Sequence, residues 1–260
     1  MTAATILHPA SRPVARNMIA VASGKGGVGK TWLSVTLSHA LANSGLRTLL
    51  FDGDLGLANV DIQLGLTPQY DLGSVIAGQK ALSEAVTHYD EGGFDVLPGK
   101  SGSGALATLS PARVSEIRDG LLQVCKAYDR VIVDLGAGVE TAVRTLTAAA
   151  GRVLVVVNDE PTSLTDSYAL IKVSQMTTPG IEMQIVVNQA ANPSDGEKTY
   201  KTLLRACENF LKISPPLAGI VRRDDRVKES IRHQTALLTR YPNSIAAADV
   251  AVIAEKLLKS

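Results

Sequence analysis

Gly24-Lys25-Gly26-Gly27-Val28-Gly29-Lys30-Thr31 has a glycine, four intervening residues, a second glycine, a lysine and a hydroxyl residue, the spacing of a phosphate-binding loop. Glycines let the backbone curl so that successive N–H groups point inward at phosphate oxygens, and a helix that follows adds its positive end. Lys30 would pair with the β and γ phosphates, and the Thr31 hydroxyl would ligate Mg²⁺. Trp32, the one tryptophan, adjoins Thr31 and is placed to report nucleotide binding by its fluorescence. The pattern predicts a nucleoside triphosphate site.

Three carboxylates extend that chemistry. Arg47-Thr48-Leu49-Leu50-Phe51 reads as a strand running into Asp52-Gly53-Asp54, and Arg130-Val131-Ile132-Val133 as a second strand ending at Asp134. In open α/β sheets ligands sit beyond the carboxyl ends of the strands, so these acids share a crevice with the phosphate loop. Asp54 would hold or activate the water that attacks the γ-phosphate, and Asp52 would hold Mg²⁺ waters or brace the loop. The alternative is a pair of turn formers. Asp134, at the Walker B position, would order the Mg²⁺ shell, with Leu135-Gly136-Ala137-Gly138 as the loop beyond it.

The elements that must hold these residues alternate along the chain. Met18 to Ala22 reads as a buried strand entering the phosphate loop, and Thr31 to Ala42 as a helix leaving it, ended by Gly45. Short helices over Leu72 to Ala77 and Leu82 to Val86 and a strand over Gly93 to Leu97 come next, then a glycine-rich stretch, Pro98 to Gly104, read as a flexible connection. Ser110 caps a helix with Pro111 in its first turn and Val114, Ile117, Leu121 and Val124 on one face. Strands follow at 152–158, 181–187 and 217–221. Helices follow after Asp159-Glu160-Pro161, with Thr162 or Ser163 as N-cap, over 195–210, and over Ser244 to Leu258, whose Ala246, Val250, Ile253, Leu257 and Leu258 share a face. The result is a doubly wound, mostly parallel α/β domain of the P-loop NTPase type, over 18–260, behind a flexible leader at 1–17.

Composition narrows the class. At 260 residues, 45% apolar and 20% charged, with a formal charge of +1, the chain suits one soluble domain with no bulk attraction to nucleic acid or membrane. Cys125 and Cys207 are isolated and the four histidines scattered, so neither a disulfide framework nor a metal cluster is expected, and both cysteines read as reduced core residues. No apolar run spans a bilayer, and a cytoplasmic location is expected. Residues 222–240 carry six basic residues against three acidic ones, interspersed and without aromatic stacking partners, which reads as a solvated face and makes DNA binding a poor expectation.

The form Lys25-Gly-Gly-Val-Gly-Lys30-Thr31, with its extra lysine, resembles the deviant Walker A ATPases of the MinD/ParA family, a SIMIBI-like group. The resemblance covers 18 to 258. It implies that Lys25 crosses a homodimer interface to the partner's nucleotide, that Asp54 is the hydrolytic-water residue of switch I, and that the amide of Asn188 reads the adenine edge. It also implies an ATPase switch, dimeric with ATP and Mg²⁺ and monomeric without. The stretch around Glu160 and Asp166 resembles one near the dimer contact and partner face. Asp52-Gly-Asp-Leu-Gly-Leu-Ala-Asn-Val-Asp61, Asn188-Gln-Ala, Arg223 through Lys228 and Arg240-Tyr-Pro-Asn-Ser are most similar to the flagellar branch (FlhG, also called FleN), whose partners are the FlhF GTPase, flagellar switch-complex proteins or a flagellar transcription activator. Leu135 and Gly136 depart from the usual Asp-Thr-Pro-Ala-Gly, and the FlhF-activating Asp-Gln-Ala motif is absent from 1–17. Division-site (MinD) and DNA-partition or cargo-positioning (ParA) roles, and a nucleotide-binding scaffold without turnover, stay open as alternatives. The last helix lacks the aromatics and basic excess of a membrane anchor and is expected to pack on the core, leaving membrane or polar attachment weak or dependent on dimer avidity.

Overall fold

The computed structural model describes residues 13–100 and 109–259. Its centre is an eight-stranded sheet in the order β3-β4-β2-β5-β1-β6-β7-β8. The strands are β1 (Ala15–Ser23), β2 (Thr48–Gly53), β3 (Thr87–Tyr89), β4 (Phe94–Leu97), β5 (Arg130–Ala137), β6 (Ala150–Val157), β7 (Met183–Ala190) and β8 (Leu217–Arg222). All neighbours pair in parallel except β3, an antiparallel edge on β4.

Side chains of a strand alternate between faces, so each strand feeds two cores. Met18, Ala20 and Ala22 of β1 join Val131, Val133, Val153 and Val155 on one side. Ile19 and Val21 join Leu50, Ile132, Leu154 and Val156 on the other. Both faces are covered by helices, which is why these strands read as continuous apolar runs. The first face carries α3 (Leu72–Ile76), α4 (Pro111–Val124), α5 (Thr141–Ala149), α6 (Pro161–Thr177) and α7 (Pro193–Ala206). The second carries α1 (Lys30–Asn43), α2 (Val60–Leu64), α9 (Leu237–Arg240) and α10 (Ile245–Leu258), with α8 (Asp225–Arg232) above α2. The chain leaves β1 toward β2 on one side and later crosses to β6 on the other, so β1 ends at the switch of strand order where ligands bind.

Local differences from the sequence reading have local causes. Residues 15–17, assigned to a leader, open β1, and the Asn17 amide donates to the carbonyls of Cys125 and Tyr128 at 2.8 Å each; residues 1–12 lie outside the described part. Pro98 and Gly99 of the supposed flexible connection are buried: a Cβ on Gly99 would stand 2.3 Å from that of Ala58. Residues 101–104 of that stretch are outside the described part. The N-cap of α6 is Glu160, not Thr162 or Ser163, because Pro161 with its fixed φ takes the first helical position. Leu135 to Ala137 continue β5 rather than forming a loop. Asn192 caps α7, which runs to Ala206 and continues as a π-type turn, Cys207–Leu211. In α10, Ala246, Val250, Ile253 and Leu257 are buried as expected, but Leu258 is exposed. No described helix is long and apolar enough to cross a membrane.

Candidate functional site

The loop from Gly24 to Gly29 leaves β1 and enters α1. Gly29, with φ +91°, is its N-cap and supplies no side chain, so the first N–H groups of α1 are left to an incoming anion. Lys30 is only 8% exposed, and its ammonium donates to Ser23 Oγ at 2.9 Å. Burial pulls its pKa down, while Asp134 and Asp54 pull it back up. At the start of the loop there is no slack: a Cβ on Gly24 would lie 2.0 Å from the carbonyl carbon of Asp166 in α6.

Asp52 and Asp134 are register partners on adjacent strands, each 1% exposed. Burial and the neighbouring Asp134 push Asp52 up to about 8, against three backbone N–H donors from Val60, Asn59 and Asp54. Asp52 therefore braces the turn after β2, the second of its two sequence readings. Burial raises Asp134 to about 6, held down by the Thr31 hydroxyl, by Lys30 and by Ser34. Ser34 Oγ donates to it at 3.0 Å. Two carboxylates and a hydroxyl form a hard oxygen set, and the penalty of burying their charge is one that a divalent cation would relieve. The residues fit Mg²⁺: Thr31 and Asp134 would hold it, with Asp52 bracing the turn beside them.

Asp54 folds its own loop: Oδ1 accepts the N–H of Gly56 at 3.2 Å and of Leu57 at 2.9 Å. The missing side chain at Gly136 makes room for it, since a Cβ there would stand 3.3 Å from Asp54 Oδ1. That departure from the family pattern thus has a local function. Gly26, Gly27, Gly29, Lys30, Thr31, Trp32 and Asp54 line one groove of about 1200 Å³, together with Leu57, Ile62, Ile231, Arg232 and Gln234. The last five were missed in the sequence. They come from short elements whose pairing, Gln234 Nε2 donating to Ile62 O at 3.0 Å, no periodicity encodes.

Lys25 is held within its own chain. Its ammonium is ion-paired with Glu160 and also donates to Thr162 Oγ1 at 2.9 Å, and the Lys25–Glu160 bond is the first cause holding the Glu160 carboxyl below its usual range. Asn188 lies near the end of β7 rather than in a turn, and its amide contacts Val28 of the phosphate loop.

A sequence model of the CobQ/CobB/MinD/ParA nucleotide binding domain (CbiA) matches residues 19–237. The chain belongs to this family. Among its CobQ/CobB/MinD/ParA relatives, the antiactivator FleN of Pseudomonas aeruginosa is 37% identical over 240 residues, covering 92% of this chain and 85% of FleN. The flagellum site-determining protein YlxH of Helicobacter pylori is 29% identical, over 92% of this chain and 81% of its own length. Among solved structures, the septum site-determining protein MinD of Pyrococcus horikoshii complexed with Mg-ADP has a TM-score of 0.78 at 23% identity, covering 93% of this chain and 95% of that one. That likeness shows the fold.

The basic segment is partly neutralised within the CobQ/CobB/MinD/ParA fold itself. Arg222 forms a bidentate pair with Asp249, and Arg226 pairs with Glu229. Cys125 and Cys207 are free and buried, as expected, and burial pushes their thiols up to about 12 and about 11.

Proposed function

We propose that this chain is an ATP-hydrolysing dimerisation switch that governs the number and placement of flagella. The observation that carries this reading is the likeness to FleN and YlxH over 92% of the chain, within which the phosphate loop and Asp54 line one groove, Asp134 is bonded to Ser34 of the helix that leaves the loop, and the additional Lys25 is paired with Glu160.

The backbone N–H groups of the loop and Lys30 bind the β and γ phosphates of ATP. Thr31 and Asp134 would hold Mg²⁺, which would supply neutralising charge on the phosphate oxygens. Asp54 Oδ1 is taken by its own loop, which leaves Oδ2 to orient the attacking water and accept its proton. Asn188 Oδ1 retains a lone pair for the adenine amine. In the dimer Lys25 exchanges Glu160 for the partner's nucleotide. The dimer would then engage flagellar partners, the FlhF GTPase, switch-complex proteins or a transcription activator, from the cytoplasm or the cell pole until hydrolysis releases them.

The test is the number and position of flagella, by electron microscopy, in a strain lacking this protein, beside phosphate release by the purified chain. Extra or misplaced flagella with normal division support the reading. Unchanged flagella with minicells or lost DNA would move the switch to the septum or the chromosome.

A further inference from the structure

Asn188 sits 160 residues from the phosphate loop in sequence and against it in space. Its side chain is buried, 4% exposed, and both of its ends are engaged. Nδ2 donates to the carbonyl of Val28 at 2.8 Å, and Oδ1 accepts the backbone N–H of Gln189 at 2.9 Å. The second bond fixes the orientation of the first: with Oδ1 turned to an N–H, the amide can only present its donor to the Val28 oxygen. Gln189 holds a left-handed backbone, φ +60°, a conformation that non-glycine residues adopt rarely and at a cost. The loop comes so close that a Cβ on Gly29 would stand 2.4 Å from Nδ2.

In a trans peptide the C=O and the next N–H point in opposite directions. A Val28 carbonyl anchored to Asn188 therefore turns the Gly29 N–H away from Asn188. Gly29 lines the groove beside Lys30 and Thr31, where phosphate would lie.

We propose that Asn188 is a positioning residue for the phosphates: it sets the attitude of the Val28–Gly29 peptide, and so tunes affinity for a triphosphate chain whatever base that chain carries. This rests on the nucleotide-switch reading and adds to the base contact a second role for the same side chain.

The experiment compares Mg²⁺-ATP with Mg²⁺-tripolyphosphate, a ligand with no base, by calorimetry on the full chain and on Asn188→Ala and Asn188→Asp proteins. Asn188→Asp keeps the shape and removes the donor but brings a negative charge toward the phosphates, so the uncharged Asn188→Leu, close in size and without a donor, is measured beside it and tests the contact where Asn188→Ala fails to fold; thermal unfolding confirms that each variant is native. The expected result is a loss of about tenfold for tripolyphosphate as well as for ATP, the size of one buried hydrogen bond. Tripolyphosphate affinity unchanged in a folded variant, with ATP alone weakened, would make Asn188 a base reader only and overturn the proposal. A wild-type chain that bound tripolyphosphate but not ATP would instead refute the ATP reading, while the effect of the variants on tripolyphosphate would still decide the role of Asn188.

Discussion

Lys25 and Glu160 are ion-paired within one chain, with Thr162 Oγ1 on the same ammonium. A lysine that is to serve a partner's nucleotide must first leave these neighbours. Both side chains are substantially exposed, so the pair is a weak tether. Glu160→Gln should lower the ATP concentration at which dimers form by a few-fold, and Lys25→Ala should bind ATP yet stay monomeric, both read by light scattering. A Lys25→Ala protein that dimerises normally would remove this lysine from the interface.

Asp54→Ala should keep ATP binding and trap the dimer, with phosphate release reduced by about a hundredfold or more. Because Asp54 also ties Gly56 and Leu57, Asp54→Asn is the closer probe, since its amide oxygen can retain those bonds. An ATP-bound Asp54→Ala chain that remains monomeric would contradict the switch.

Lys30→Ala should weaken ATP by roughly a hundredfold, the scale of a charged hydrogen bond lost in a partly buried site. Trp32 provides the readout. Its ring is buried at the edge of the groove and its indole N–H has no partner among the described residues, so wild-type emission should shift on adding Mg²⁺-ATP and the variant's should not.

Stability should fall as pH rises through the window set by the paired acids. Burial raises Asp134 to about 6 and Asp52 to about 8 from the ordinary carboxylate value of 3.8. Between 3.8 and those values the folded chain binds more protons than the unfolded one, so stability is fully present below the lower limit and is lost as pH climbs through the folded values. The Mg²⁺- and nucleotide-free protein should therefore melt at a lower temperature at pH 8 than at pH 6. Asp134→Asn should reduce that difference, and Mg²⁺-ATP should reduce it in the wild type. His39, buried with its pKa pulled down, acts in the opposite sense as pH falls, and cancels when variant and wild type are compared.

The phosphate loop, the central strands and the acids carried by β2 and β5 were legible because each is a contiguous pattern with a physical cause. A strand covered on both faces reads as an apolar run, and a loop that wraps phosphate needs glycine at fixed steps. What escaped was short or remote. Thr87–Tyr89 is too brief to show alternation, and Val60–Leu64 too brief to show a helical face. Ser34 is one small polar residue in a buried helix, and nothing in its neighbours announces Asp134, one hundred residues on. The Lys25–Glu160 pair and the Asn188–Val28 bond are products of tertiary closure, for which local spacing carries no trace.

Gly24 has no room for a methyl group because the backbone of α6 lies directly on it. That helix runs 17 residues, about 25 Å, from the neighbourhood of Lys25 to Thr177. Contact between two backbones has no side chain to act as a cushion, so the start of the loop and the helix behave as one stiff part. Any side chain at position 24 would have to push α6 off the loop, so this glycine serves the seating of a helix as well as the curl around phosphate.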